Sequence, residues 1–335
     1  MSLKKISKEK FCVPAYLPSC LYIIMYRIRS LMFIVLSLYR FTRFDNPIAL
    51  AEPLQKKCEE NGILGSILLA NEGINGTISG QRKAINTILE FIRSLPGCEE
   101  LECKESTSKL PPFPRMKIKI KKEIITMSEP NIDPTKVAGN YVDARDWNEL
   151  IQSPDVALID TRNNYEVAIG SFEGAINPET KSFSDFPKWW QKNKNRFLNK
   201  KIAMYCTGGI RCEKSTNYII GQGVENVYQL KGGILKYLEL VPKKESKWTG
   251  DCFVFDARVS IGHNLKEGPH KLCYACRLPI KPSDMQKPEY EHGVSCPHCH
   301  KSTSDSDKNR FRERQKQIKL SRQRGTKHMA GFDGN

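Results

Sequence analysis

Tyr205-Cys206-Thr207-Gly208-Gly209-Ile210-Arg211-Cys212-Glu213-Lys214 follows the short apolar run Ile202 to Met204 and precedes Ser215-Thr216-Asn217-Tyr218-Ile219-Ile220. The apolar run reads as a buried strand and the later segment as a helix. A cysteine therefore sits at the carboxyl end of a strand, in a glycine-bearing loop that opens a helix. Free backbone N–H groups and the positive end of the helix dipole favour negative charge there. Gly208 and Gly209 let successive amides turn inward as an anion nest. With Arg211 nearby, Cys206 is expected to ionise below the free thiol value of about 8.5. The competing reading is a buried structural cysteine beside a tight turn.

Strands and helices alternate on either side of this loop. The run 156–160 is a buried strand ending in Asp160-Thr161-Arg162, and 224–230 is another, leading into Gly232-Gly233. Helical patterns cover 184–193 and 214–221. Such alternation predicts a parallel α/β sheet. Ligands bind at the carboxyl ends of strands in these sheets, where Asp160, Cys206 and Gly232 all fall. Asp160 and Arg162 are expected to brace the loop as an ion pair.

Upstream, residues 33–128 read as strand (33–39), helix (47–61), strands (65–70 and 76–79), helix (82–94) and strand (116–120). That βαββαβ order is the ferredoxin-like arrangement. A Pro-containing linker, 129–136, separates it from the α/β domain at 137–245. Residues 246–300 are cysteine-rich. Residues 301–335 hold ten Lys or Arg against four Asp or Glu without an apolar stripe, and disorder is expected there.

Cys273-Tyr274-Ala275-Cys276 and Cys296-Pro297-His298-Cys299 stand nineteen residues apart. This C-x₂-C-x₁₉-C-x₂-C spacing is a zinc-ribbon-like pattern, and structural zinc on the four cysteines is expected. The region is too small to build much core, so metal would supply its stability.

A formal charge of +16 on 335 residues makes a polyanionic partner plausible. Nucleic acid is the first candidate, and Lys117, Lys119 and Lys121 in the first domain and Arg312 and Arg314 in the tail are the candidate contacts to it. Twelve cysteines, four of them in C-x-x-C pairs, fit a reducing, cytoplasmic setting rather than a secreted disulfide scaffold. Residues 17–38 are rich in apolar side chains, but Arg27 and Arg29 would each cost roughly 2.5–3.5 kcal/mol at the centre of a membrane helix. No membrane association is expected. Met32 reads as the natural start, with the residues before the strand at 33 (1–32) forming an extension outside the folded chain.

Asp160-Thr161-Arg162-Asn163-Asn164-Tyr165-Glu166, with Ile169 to Asn177, resembles the first rhodanese signature; Cys206 to Arg211 resembles its active loop and Gly232-Gly233 its closing signature. Ser171 departs from the pattern, since many rhodaneses carry histidine there, and is given no catalytic role. The chain from Phe33 onward resembles the rhodanese-domain tRNA uridine(34) hydroxylase family. Asn71-Glu72-Gly73-Ile74-Asn75-Gly76, Tyr205 to Lys214 and Phe253-Val254-Phe255-Asp256 carry the match. The resemblance implies oxygen-dependent oxidation of the wobble uridine of tRNA to 5-hydroxyuridine, with molecular oxygen as co-substrate and Cys206 required. No flavin or nicotinamide motif is present, and no obligate protein partner is implied.

Four residues separate Cys206 from Arg211, a cradle suited to a persulfide sulfur; cysteine phosphatases use five. Cys206 is the expected nucleophile, carrying a persulfide or oxidised sulfur, and Arg211 orients the loop or an anionic substrate. Thr207, Gly208, Gly209, Ile210 and Cys212 complete the loop. Cys212 reads either as a resolving thiol or as packing beneath the loop. The alternatives to the hydroxylase are a thiosulfate sulfurtransferase and a sulfur-carrier module, both using a Cys206 persulfide.

Overall fold

Alternation in the first apolar run builds the first strand, β1 (Phe33–Phe41). Leu36 and Leu38 enter the core while Ser37 and Tyr39 turn to the opposite face. The computed structural model describes residues 32–325, so the expectations for residues 1–31 and for the end of the tail lie outside the described residues. Helix α1 (Pro47–Glu60) starts at Asn46, whose side chain accepts the Ala49 amide at 3.1 Å. Strands β2 (Leu64–Ala70) and β3 (Gly73–Gly80) form a hairpin, followed by helix α2 (Arg82–Arg93). Ile85, Ile88 and Ile92, at helical spacing, bury one stripe of α2 against the sheet. Each such side chain contributes roughly 1.5–3 kcal/mol.

The strand closing the ferredoxin-like unit is not the one expected. Strand β4 (Glu102–Ser108) pairs antiparallel with β1, and Met116–Ile120 becomes a fifth strand, β5, parallel to β2 at the far edge. The sheet order is β4-β1-β3-β2-β5. Glu102-Cys103-Lys104-Glu105-Ser106-Thr107-Ser108 carries no apolar alternation, so its sequence gives no strand signal. It is an edge strand, and of its seven residues only Cys103 packs on the hydrophobic core.

The α/β domain forms from β6 (Asn140–Val142), α3 (Trp147–Gln152), β7 (Val156–Asp160), α4 (Asn164–Val167) and β8 (Gly170–Phe172). It continues with α5 (Phe186–Asn193), β9 (Lys201–Tyr205), α6 (Ile210–Ile220), β10 (Val227–Leu230) and α7 (Gly233–Leu240). The sheet runs β6-β10-β9-β7, every pair parallel. Leu158, Ala203 and Tyr205 pack on one face with Trp147 and Tyr237; Ile159, Ile202 and Met204 pack on the other with Phe186 and Trp190. Burial on both faces explains the near-continuous apolar runs.

Three short antiparallel pairings follow. Strand β11 (Trp248–Gly250) adds to β8, β12 (Cys252–Phe253) pairs with β13 (Ser260–Ile261), and β14 (Lys271–Leu272) pairs with β15 (Pro279–Ile280). The tail departs from the disorder expected of it: Asp305–Gln323 is a helix, α8. Ser304 caps it, its hydroxyl accepting the Asp307 amide at 3.1 Å. Charge pairs along its surface, such as Arg310–Asp307, replace the missing apolar stripe. Among the described residues, no helix is long and apolar enough to cross a membrane.

Candidate active site

Cys206 leaves β9 at the centre of the parallel sheet and is buried. The backbone then curls back, so that the Gly209 amide donates to Cys206 Sγ at 3.1 Å. Gly209 takes φ +109°, a conformation that costs other residues dearly. The first amides of α7 hold the loop from behind: Ile234 N–H donates to the Cys206 carbonyl at 3.0 Å and Leu235 N–H to that of Thr207 at 3.1 Å. This approach requires Gly233, where a Cβ would stand 2.6 Å from both carbonyl oxygens. The second glycine of the closing Gly232-Gly233 pair is thereby explained by fit.

Burial opposes ionisation of Cys206. The Cys212 thiol, the Arg211 guanidinium and the amides of residues 211 and 212 outweigh it and hold the Cys206 pKa well below the ordinary thiol value. Burial and the neighbouring Cys206 push the Cys212 thiol up, so it stays protonated and donates. Cys212 also lies 3.7 Å from Thr161 Oγ1.

Asp160 and Arg162 pair as expected, fully buried, with Arg162 Nη2 donating to Asp160 Oδ2 at 2.6 Å and Nε to Oδ1 at 2.9 Å. The pair does not touch Arg211. That arginine is gripped by Glu166, Nη1 to Oε2 at 2.6 Å and Nη2 to Oε1 at 2.8 Å. Burial disfavours the Glu166 carboxylate, yet Arg211 wins and lowers its pKa. Arg162 completes the frame by donating to the Glu166 carbonyl at 3.3 Å and that of Gly170 at 2.7 Å. Glu166 thus joins the two arginines. It lay in plain view in the first signature, but nothing local marked it as the partner of a residue 45 positions later.

The loop is also covered from the ferredoxin-like sheet. Tyr39 Oη donates to Glu213 at 3.2 Å and stands 2.8 Å from where a Cβ on Gly209 would lie. Glu213 further accepts from Tyr141 at 2.8 Å; burial pushes its carboxyl up against these donors. Lys214, 1% exposed, pairs with Glu123 at 2.6 Å and Glu72 at 2.8 Å. Glu72 Oε1 and the Asn75 side-chain amide bind the Ile124 amide and carbonyl, so the Asn71–Gly76 motif forms a socket for α6. The Phe253–Asp256 motif has a matching role. Asp256 pairs with Arg258 at 2.6 Å, and Arg258 donates to Ser106 Oγ of β4 at 2.7 Å.

The sulfurs of Cys273, Cys276, Cys296 and Cys299 all lie within 4.8 Å of one another. Nearest pairs stand 3.7, 3.8 and 4.0 Å apart. A tetrahedral Zn–S bond of ~2.3 Å requires S···S separations of ~3.8 Å, so this donor set fits such an ion. Arg314 donates to the Tyr274 and Gly293 carbonyls beside the cysteine turns, and Arg312 pairs with Glu291 at 2.6 Å. Both anchor α8. Lys117, Lys119 and Lys121 are exposed, the first two along β5.

The α/β fold, with a cysteine cradled after its central strand, defines a rhodanese-like protein. Residues 143–240 match the rhodanese-like domain model, and residues 33–124 match the UPF0176 acylphosphatase like domain. Proteins named tRNA uridine(34) hydroxylase from Roseobacter denitrificans and Ruegeria pomeroyi are 59% and 61% identical to this chain, over 88% and 89% of it and 99% of each of theirs. One of the same name from Agrobacterium fabrum is 53% identical over 89% of this chain and 95% of its own. The chain belongs to the tRNA uridine(34) hydroxylase family.

Proposed function

We propose that this protein hydroxylates carbon 5 of the wobble uridine of tRNA, giving 5-hydroxyuridine in an oxygen-dependent reaction that needs Cys206. The observation that carries this reading is the low-pKa cysteine cradle, taken with the name its relatives bear. Cys206 is the reactive sulfur. Arg211, fixed by Glu166, holds positive charge beside it; Asp160 and Arg162 keep that frame rigid. Thr207 to Ile210 supply the amides, and Cys212 keeps its proton to stabilise the Cys206 thiolate. Molecular oxygen is the co-substrate: one atom enters the C5–H bond and the other leaves as water, with two electrons and two protons from an external two-electron reductant.

Zinc on Cys273, Cys276, Cys296 and Cys299 is a structural ion, clamping the turns on which α8 rests. Lys117, Lys119 and Lys121 meet RNA phosphates. Arg312 and Arg314 are read first as anchors of α8, since their guanidinium groups are engaged within the protein. The reading implies a cytoplasmic enzyme.

Nucleoside analysis of tRNA from cells lacking this protein tests the proposal. Loss of 5-hydroxyuridine-derived nucleosides at position 34, restored by the wild-type chain and not by Cys206→Ser, is the expected result. An unchanged profile, with turnover of thiosulfate by the purified protein, would replace the hydroxylase by a sulfurtransferase.

A further inference from the structure

Strand β4, which sequence patterns did not reveal, brings a lysine to the active loop. Lys104 is half-buried and, among the described residues, its side-chain amine has no ion-pair or hydrogen-bond partner. Its Nζ stands 2.9 Å from where a Cβ on Gly232 would lie. Gly232 immediately precedes Gly233, whose own Cβ would meet the Cys206 and Thr207 carbonyls. The amine therefore hangs over the turn that holds the cysteine loop in place. Leaving such a cation half-buried and unpaired is costly unless a ligand compensates it.

The sheet continues the pattern. Lys104 lies opposite Ser37, Ser37 opposite Thr77, Thr77 opposite Ser66, and Ser66 opposite Lys117. Directly opposed residues share a face, so Lys104 and Lys117 end one polar row across five strands. At ~4.8 Å per strand the row spans roughly 19 Å. Lys119, two residues on, shares that face. It is the face opposite the helix-packed core, and Tyr39 on it reaches the loop. Near Lys104 the other charges are Lys236, Glu102 and Glu239, and Lys236 is already paired with Glu239 at 2.8 Å.

We propose that Lys104 is a substrate-binding residue that takes a phosphodiester of the RNA next to the nucleotide presented to Cys206. The polar row ending at Lys117 carries the strand away across the ferredoxin-like sheet. This rests on the reading of the protein as an RNA-modifying enzyme and supplies a reason for that sheet to be part of it.

The test measures binding of an anticodon stem-loop RNA with uridine at position 34, across salt concentrations, to wild type, Lys104→Ala and Lys104→Arg. Removing one phosphate contact lowers the magnitude of the log–log salt slope by about 0.7 to 1. Lys104→Ala should show that loss, weaker binding by about three- to tenfold near 100 mM salt, and a raised KM. Lys104→Arg should keep the slope. Thermal melting confirms that both variants fold. An unchanged slope in a folded Lys104→Ala protein overturns the proposal, as does a defect confined to thiosulfate turnover. A wild type that binds RNA and makes no 5-hydroxyuridine fails the functional reading alone; one that makes it, with an unaltered Lys104→Ala slope, fails this proposal alone.

Discussion

Cys206 and Cys212 share one loop but carry opposite assignments. The first is held ionised by the second, by Arg211 and by backbone amides; the second is held neutral by burial and by the first. Cys206→Ser should abolish formation of 5-hydroxyuridine in a tRNA modification assay, while Cys212→Ser should keep a measurable fraction, because a hydroxyl still donates. The reverse ranking would reassign the nucleophile. Glu166 makes a second residue-level prediction. Its pKa is depressed in the folded protein, so its stabilisation is present above the unfolded value near 4.5 and is lost as pH falls through the folded value. Thermal melts should therefore decline on acidification below about pH 4.5. Glu166→Gln leaves Arg211 buried without its counter-charge and should cost about 3–5 kcal/mol at pH 7. Its acid dependence should be shallower than that of wild type in the same melts. The cysteine was legible from sequence because strand, glycines and helix are contiguous. Glu166 and Lys104 were not, because their partners are set by the fold.

At the scale of elements, legibility followed hydrophobic contrast. Strands β1, β7 and β9 and helices α1 and α2 were readable, being either buried on both faces or cleanly amphipathic. Strand β4 and helix α8 were missed for one shared reason: each is held by polar contacts rather than by apolar burial. Strand β4 completes the ladder along the outer edge of β1. Helix α8 leans on Glu291, Tyr274 and Gly293, all within the region of the paired cysteines. The four sulfurs therefore bear on the helix too. Protein purified without added metal should carry about one zinc per chain. Stripping it with a strong chelator should reduce helical circular dichroism and expose four thiols to a colorimetric reagent. Four reactive thiols in untreated protein, with no metal by mass spectrometry, would remove the zinc assignment.

For the whole molecule, the charge balance and the buried cross-connections set behaviour. With a net charge of +16, RNA binding through phosphates as proposed should weaken by at least about tenfold between 50 and 200 mM salt. Salt-independent tRNA binding would contradict that mode. The α/β domain, although its pattern reads as self-sufficient, sends Glu213 to Tyr39 and Lys214 to Glu72 and Glu123, while Arg258 reaches Ser106. Calorimetry should accordingly show these parts melting together, and two well-separated transitions would argue against it. Lys214 also limits how such proteins can be recombined. A rhodanese unit from elsewhere, spliced behind this sheet, would bring its own side chain to the pocket lined by two carboxylates. Any neutral residue there leaves Glu72 and Glu123, both only partly exposed, without the lysine that joins them. A working chimera must therefore inherit Lys214 and Glu213 together with Tyr39, Glu72 and Glu123, five side chains that act as a matching key between otherwise exchangeable folds.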